Sequence, residues 1–143
     1  MIEPYPLLWP EDHPKTKVKQ QSRFSTSFAD ARDSVLLEIS RLGGREVTIT
    51  SNVATRRDGL PYANQADPVE TGVAVYFWRK GKMFCFACDR YKKVKDNIQA
   101  IAKTVEAMRG IERWGSLCMF EKQVEAFALL PDRIPGTGLV KVQ

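Results

Sequence analysis

The chain has 143 residues, the usual size of a single domain, and its 43% hydrophobic and 27% charged residues are ordinary for a globular protein. It carries 22 Lys and Arg against 17 Asp and Glu, a net charge of +5 that favours acidic or polyanionic partners. No apolar run approaches the roughly 18 residues of a membrane span, the first residues lack a secretory-signal pattern, and three cysteines cannot make a paired disulfide framework. We therefore expect a soluble cytoplasmic protein with no membrane contact.

The first 22 residues contain four prolines and three lysines without a periodic apolar pattern, which predicts an extended arm rather than a packed element. A helix is predicted over residues 28–42, because apolar residues recur there at three-to-four spacing, Ser27 is a suitable N-cap and Gly43-Gly44 ends the pattern. Residues 45–51 alternate with a β-branched bias, so they are predicted to form a strand.

A polar connection over residues 53–71 follows and is far longer than the roughly 4–6 residues typical of compact domains. It contains an Asp58-Gly59 turn signal, and loops of this length are either functional or flexible. Residues 73–78 and 83–88 then form a predicted hairpin whose two faces are both apolar. Such a sheet is either covered on both faces or leaves an aromatic face for a partner, so the protein is expected to be a monomer or a homodimer.

Two helices complete the predicted fold. The first covers residues 91–109, with an apolar stripe from Val94 to Met108, and ends at Gly110; the second covers residues 116–130, capped by Ser116. Together the elements predict an α+β fold, a small antiparallel sheet of about three strands packed by about three helices. The predicted organisation is an extended Pro/Lys arm at 1–22, a single α+β domain at 23–131 and a flexible tail at 132–143.

Patterns that would indicate catalysis are weak. The C-x-x-C spacing of Cys85 and Cys88 is that of a zinc knuckle or a redox pair, but the two-residue period of a strand directs the two thiols to opposite faces. The sole histidine, His13, lies in the arm, and no phosphate-binding glycine motif occurs. Five carboxylates are either solvated surface charge or candidates for a magnesium site: Glu46, Asp58, Asp67, Glu70 and Asp89. We expect no enzyme activity, no cofactor and no metal.

Positive charge is concentrated in residues 79–113, which hold ten Lys and Arg against four Asp and Glu. This excess lies beside an aromatic hairpin, a combination that suits either nucleic-acid binding or a solvated basic face. Nine cations are predicted to contact nucleic acid or another anionic partner: Arg56, Arg57, Arg79, Lys80, Lys82, Arg90, Lys92, Lys93 and Lys95. Three aromatic residues are predicted to be available for base stacking: Tyr76, Trp78 and Phe84.

Several blocks of sequence resemble the N-terminal region of phage- and prophage-encoded J-domain-containing proteins. They are residues 57–63, 67–68, 72–77, 86–90, 96–102 and 108–115, and the resemblance extends over roughly residues 5–131. In that family a J domain with a His-Pro-Asp tripeptide follows, whereas this chain has no such tripeptide, so stimulation of Hsp70 is not expected. The resemblance implies a mobile-element origin, a bacterial host cytoplasm and an adaptor or replication-associated role.

Two hypotheses of different class follow. The first is a non-enzymatic phage or mobile-element accessory protein that binds DNA or RNA, or a nucleic-acid-processing complex, through a basic surface. The second is a protein-interaction module or inhibitor that engages a host replication or antiviral-defence protein. A metal-dependent nuclease is a distant third.

Overall fold

The computed structural model describes residues 2–135 and confirms the α+β fold. Three helices and three strands follow one another in the order α1 (Phe28–Leu42), β1 (Arg45–Ser51), β2 (Val73–Arg79), β3 (Lys82–Cys88), α2 (Val94–Trp114) and α3 (Leu117–Glu125), and a 3₁₀ turn follows at Pro131–Arg133. No helix within residues 2–135 is both long and apolar enough to cross a membrane.

The sheet is an antiparallel meander in the order β1-β2-β3. Strands β2 and β3 pair without a break from Val73 opposite Cys88 to Arg79 opposite Lys82. The turn between them is only Lys80 and Gly81, whose φ angles of 52° and 76° are both positive, as a tight hairpin turn requires. Each hairpin strand is therefore one residue longer at the turn than the sequence predicted.

Helices α1 and α2 cover one face of the sheet and run parallel to each other. Thr26, just before α1, lies 3.4 Å from Gln99 near the start of α2, whereas Glu38, late in α1, accepts a 2.7 Å hydrogen bond from Arg109, late in α2. The main hydrophobic core lies between these helices and the sheet. Because the helices are parallel, both of their N-termini point to the same end of the molecule.

The opposite face of the sheet is covered by the N-terminal segment. Ile2 and Leu7 pack against a second apolar cluster that includes Tyr76, whose hydroxyl donates a 2.6 Å hydrogen bond to the carbonyl of Leu8. Residues 2–22 contain no helix or extended strand, as expected of an extended arm, but they are packed against the body, which corrects the expectation that they are not a packed element. Both apolar faces of the sheet are thus covered within one chain.

Two acidic residues hold the rest of this segment in place. Asp89 is 4% exposed and accepts hydrogen bonds from the N–H and hydroxyl of Thr16 at 2.8 and 2.6 Å. Glu70 binds Lys15 at 2.5 Å and Lys19 at 3.0 Å. Burial raises the pKa of Glu70, but hydrogen bonds from these two lysines and the N–H of Gly72 outweigh it and lower the pKa to about 2.

The low pKa of Glu70 predicts a stability difference that depends on pH. We expect Glu70→Gln to lower the free energy of unfolding by about 1–2 kcal/mol at neutral pH. Because the folded-state pKa lies below the unfolded one, this contribution is present above about pH 4.5 and disappears as the pH falls toward 2. Urea unfolding of both proteins between pH 2 and 7 measures the difference; a gap that stays constant with pH would contradict the assignment.

The predicted helix boundaries need three corrections. Helix α2 begins at Val94 rather than residue 91, because the backbone around Tyr91 pairs with Gln20 instead, the N–H of Lys92 bonding to the Gln20 carbonyl. It then continues through Gly110, where a Cβ would meet nothing within 4 Å, to Trp114.

Helix α3 ends at Glu125 rather than residue 130, because the chain that follows pairs with the outer edge of β3. The N–H of Cys85 donates to the Phe127 carbonyl at 3.2 Å, and the N–H of Leu129 donates to the Met83 carbonyl at 2.8 Å. In the predicted flexible tail, Ile134 packs against the cluster on the arm side of the sheet, and residues 136–143 lie outside the described residues.

Candidate nucleic-acid interface

The three cations at the hairpin tip are bound to helix α3. Arg79 is 4% exposed and donates to the Leu42 carbonyl at 3.0 Å and to Glu121 at 2.8 Å. Lys80 also contacts Glu121, at 3.3 Å, and Lys82 binds Glu125 at 2.6 Å. Arg79 is therefore a structural residue, which corrects its prediction as an anion-binding residue, while the two lysines are exposed but already paired with carboxylates.

The aromatic residues predicted for stacking are also committed to the core. Phe84 is fully buried and stacks on Phe77 with ring centroids 5.5 Å apart, and Tyr76 is 2% exposed beneath the N-terminal segment. Trp78 is partly buried against the same cluster as Tyr76. The prediction that Tyr76 and Phe84 stack on bases is therefore wrong, because neither ring has a face open to a base.

Three of the predicted cations come together around one open cavity. Lys92, Lys93 and Lys95, at the start of α2, line a cavity of about 340 Å³ with Tyr62, Asn64 and Gln65 of the long loop. Tyr62 is 56% exposed. We call this cavity the basic cleft; its lysines supply positive charge, its tyrosine supplies a flat apolar ring and Asn64 supplies an amide.

The long loop that forms one wall of the cleft is ordered by its own hydrogen bonds. Asp58 and Gly59 form the predicted turn, with Gly59 at φ 82°, and the N–H of Arg56 donates to the Leu60 carbonyl at 2.8 Å. The side chain of Gln65 bonds both backbone groups of Ala54, at 3.0 and 2.8 Å. The segment is thus a small closed hairpin rather than a loose connection.

The other wall of the cleft is held by Asn97, which is fully buried. Its amide donates to the carbonyls of Thr71 and Tyr91 at 2.8 and 3.0 Å, and its oxygen accepts from the N–H of Tyr91 at 2.9 Å. Lys92 and Lys93 follow Tyr91 directly. Asn97 therefore sets where these lysines stand relative to the loop.

The start of α2 adds to the positive potential at the cleft. No side chain caps the helix at Lys93, so its first-turn N–H groups have no side-chain acceptor, and the N-terminus of α1 lies at the same end of the molecule. Asp96 opposes this potential from within the first turn; it is 6% exposed, and one of its carboxylate oxygens has no hydrogen-bond partner among residues 2–135. Asp67 also lines the cleft and lies 3.9 Å from Lys93, so it is a second carboxylate at this site. Three lysines against these two carboxylates leave one net positive charge in the region.

The remaining predicted cations lie elsewhere. Arg90 contacts Gln20 at 3.3 Å and lies over the Tyr91 ring, 5.4 Å from its centroid. Arg56 and Arg57 line a second cavity, whose lining residues have only Phe28 in common with those of the basic cleft. The nine cations thus form three separate groups and one outlier.

The residues considered for metal or redox chemistry are dispersed. Cys85 and Cys88 lie on opposite faces of the sheet, as predicted, and burial raises the pKa of both thiols, that of Cys85 to about 12. The carboxylate of Asp89 accepts a hydrogen bond from Thr16, and that of Asp58 accepts one from Arg56. Within residues 2–135 no three His, Cys, Asp or Glu side chains are grouped as a metal ion would require.

The site residues that sequence reasoning missed are Tyr62, Asn64 and Gln65. The unusual length of their loop was the available signal, but the loop's position against α2 depends on long-range contacts. Comparison of the chain with protein-family models, curated proteins and solved structures finds no match.

Proposed function

We propose that this chain is a non-enzymatic nucleic-acid-binding protein that holds a single strand in the basic cleft. The observation that carries the proposal is the grouping of Lys92, Lys93 and Lys95 with the exposed ring of Tyr62 in one open cavity. Proteins that bind single strands without a sequence motif combine these two elements, a cationic track for the backbone and an aromatic ring for a base. The cleft keeps Lys92, Lys93 and Lys95 of the predicted cations but not those of the hairpin tip.

The cleft favours a single strand over a duplex for a physical reason. A cavity of about 340 Å³ can hold one base but not a stacked duplex. A base must therefore leave its stack to reach Tyr62. Phosphates then lie near the lysines at the start of α2, where the helix dipole also favours anions. The resemblance to phage-encoded proteins supports a role as an accessory protein of a mobile element in a bacterial cytoplasm.

Charge reversal in the cleft tests this proposal. We expect Lys92→Glu/Lys93→Glu/Lys95→Glu to weaken binding of a fluorescent single-stranded oligonucleotide by about 100-fold at low salt. The slope of log affinity against log salt concentration should fall by about 2, because three phosphate contacts on a single strand contribute about 0.7 each. Tyr62→Ala should weaken binding by about tenfold and leave the slope unchanged, since stacking is not ionic.

A matched control separates the cleft from general charge. Lys103→Glu/Arg113→Glu/Lys122→Glu changes the net charge by the same amount at exposed positions outside the cleft. Anisotropy titrations with single- and double-stranded DNA and RNA at two salt concentrations measure all three variants. Equal losses in the two triple variants, or no binding by the unaltered protein at low salt, would reject the cleft as a nucleic-acid site.

A further inference from the structure

A second cavity, of about 350 Å³, lies along the outer edge of strand β1. Its apolar part is formed by Phe28 and Leu36 of α1 and by Val47 and Ile49 of β1, all partly exposed, and by Ile2 and Pro4 of the N-terminal segment at one end. We call it the β1 groove. It is distinct from the basic cleft, because only Phe28 lines both.

The backbone of β1 is open to this groove. Strand β1 pairs with β2 on one side only, and Ser51 directs its N–H away from β2 to the Pro4 carbonyl at 3.1 Å. Backbone groups of alternate residues in an antiparallel strand point the same way, so the N–H and C=O of Ile49 also point outward. Among residues 2–135 no backbone group pairs with Ile49 on that side.

The charged residues that line the groove are mostly arginines. Arg32, Arg56 and Arg57 line it together with one carboxylate, Glu3. The carboxylate partners of Arg32 and Arg56 are Asp33 and Asp58, neither of which lines the groove.

One of these arginines, Arg57, has free donors, because it is exposed and forms no ion pair with a described carboxylate. The terminal nitrogens of Arg32 bind the Asp58 carbonyl and the Asp33 carboxylate, and its Nε is buried. Free arginine donors suit carboxylates, which they can bind in a bidentate manner.

We propose that the β1 groove binds an extended acidic segment of a partner protein by strand addition. The segment pairs with the open backbone of Ile49, places alternate apolar side chains against Phe28 and Leu36, and presents its carboxylates to the arginines. Backbone pairing supplies affinity for any extended chain, whereas the apolar pockets and the arginines select among sequences. This site is independent of the nucleic-acid proposal and provides a place for a protein partner.

The first test uses the unaltered protein and a labelled peptide of about eight residues that alternates Glu with Val, close to the length of an ordinary strand. We expect salt-sensitive binding by anisotropy, and slower exchange of the Ile49 amide with solvent, measured by NMR, while the Thr50 amide, which already faces β2, changes little. A peptide with Lys in place of Glu should bind at least tenfold more weakly. Equal binding of both peptides, or an Ile49 amide that exchanges as before, would overturn the proposal.

Variants locate the peptide on the molecule. Arg56→Glu/Arg57→Glu should weaken the acidic peptide about tenfold or more, whereas the control Lys103→Glu/Arg113→Glu should not. Ile49→Pro removes the outward N–H without removing a bond to β2, and should abolish the peptide contact in protein that circular dichroism shows to be folded. The cleft variant Lys92→Glu/Lys93→Glu/Lys95→Glu should keep its peptide affinity, so failure of one site is distinguishable from failure of the other. Unchanged affinity in the arginine variant would contradict the β1 groove as the site.

Discussion

Asn97→Leu is expected to lower the free energy of unfolding by about 3–4 kcal/mol. Leucine keeps the number of side-chain heavy atoms and the branch at Cγ, although it is bulkier, and it removes every hydrogen bond that the Asn97 side chain makes to the backbone. The N–H of Tyr91 and the carbonyl of Thr71 then lose these partners, and a buried unpaired backbone group costs roughly 1–3 kcal/mol. Urea unfolding monitored by tryptophan fluorescence measures the difference. The matched control is Gln123→Leu, an amide-to-leucine change on the exposed face of α3, which should alter stability by less than about 0.5 kcal/mol.

Asn97→Asp distinguishes lost hydrogen bonds from lost packing. The introduced carboxyl keeps an acceptor for the Tyr91 N–H but faces the carbonyls of Thr71 and Tyr91, which disfavours its charged form. Its pKa in the folded protein therefore rises above the unfolded value, so the variant should lose stability as the pH rises from 4 to 7 relative to the unaltered protein. If the stability difference between Asn97→Asp and the unaltered protein does not change with pH, the carbonyls of Thr71 and Tyr91 do not act on the side chain at this position, and packing alone explains its role.

Asn97→Leu also tests whether the stability of the fold determines the shape of the basic cleft. Asn97 ties the chain around Tyr91 to α2 and to Thr71, two residues before β2, and Lys92 and Lys93 follow Tyr91 in that chain. An Asn97→Leu protein that remains folded at low temperature should bind single strands more weakly although no cation has changed. The cleft is in this sense a product of one buried amide rather than of surface charge alone.

The starts of α1 and α3 could be predicted from the sequence because they depend on neighbouring residues, whereas the start of α2 could not. Ser27 accepts the N–H of Asp30 at 3.1 Å and Ser116 accepts that of Met119 at 3.1 Å, as the capping pattern predicted. The predicted end of α3 was wrong because the backbone groups of residues 127–129 form hydrogen bonds with the edge of β3 instead of continuing the helix. Competition of that kind between distant segments has no signature within a window of the sequence.

The candidate site was predicted less well than the fold. Charge counting located the basic quarter of the chain but could not separate paired from available cations, since Glu121 and Glu125 lie about forty residues beyond the hairpin. One signal was available: Arg79 continues the alternation of Val73, Val75 and Phe77, which face the main core. A cation at the end of such a series needs a buried partner, and this requirement argues against its use as a binding residue.

Arg79→Met is expected to cost about 3 kcal/mol of unfolding free energy, although methionine keeps most of the apolar stem. The guanidinium, only 4% exposed, joins the end of β2 to two helices. It donates to the carbonyl of Leu42, the last residue of α1, binds Glu121 of α3, and lies over the Phe120 ring of α3, 5.6 Å from its centroid. Its loss removes a charge that is hydrogen-bonded to acceptors on α1 and α3, at the place where both helices meet the end of β2. Arg79→Lys should recover little, because an ammonium cannot reach the carbonyl and the carboxylate in the same bidentate arrangement.

The carboxylate partners provide the control for this prediction. Glu121→Gln should cost about 1–2 kcal/mol, since Glu121 is 29% exposed and water compensates part of the loss. Glu125→Gln should cost less than about 0.5 kcal/mol although the Lys82–Glu125 pair is shorter, 2.6 Å against 2.8 Å, because both of its members are exposed to solvent. The hydrogen bond from Arg79 lowers the pKa of Glu121, so the Glu121→Gln difference should shrink as the pH falls below the ordinary range of a glutamate. Equal costs for the two glutamine variants in urea unfolding would show that distance, and not burial of the arginine, determines the strength of these ion pairs.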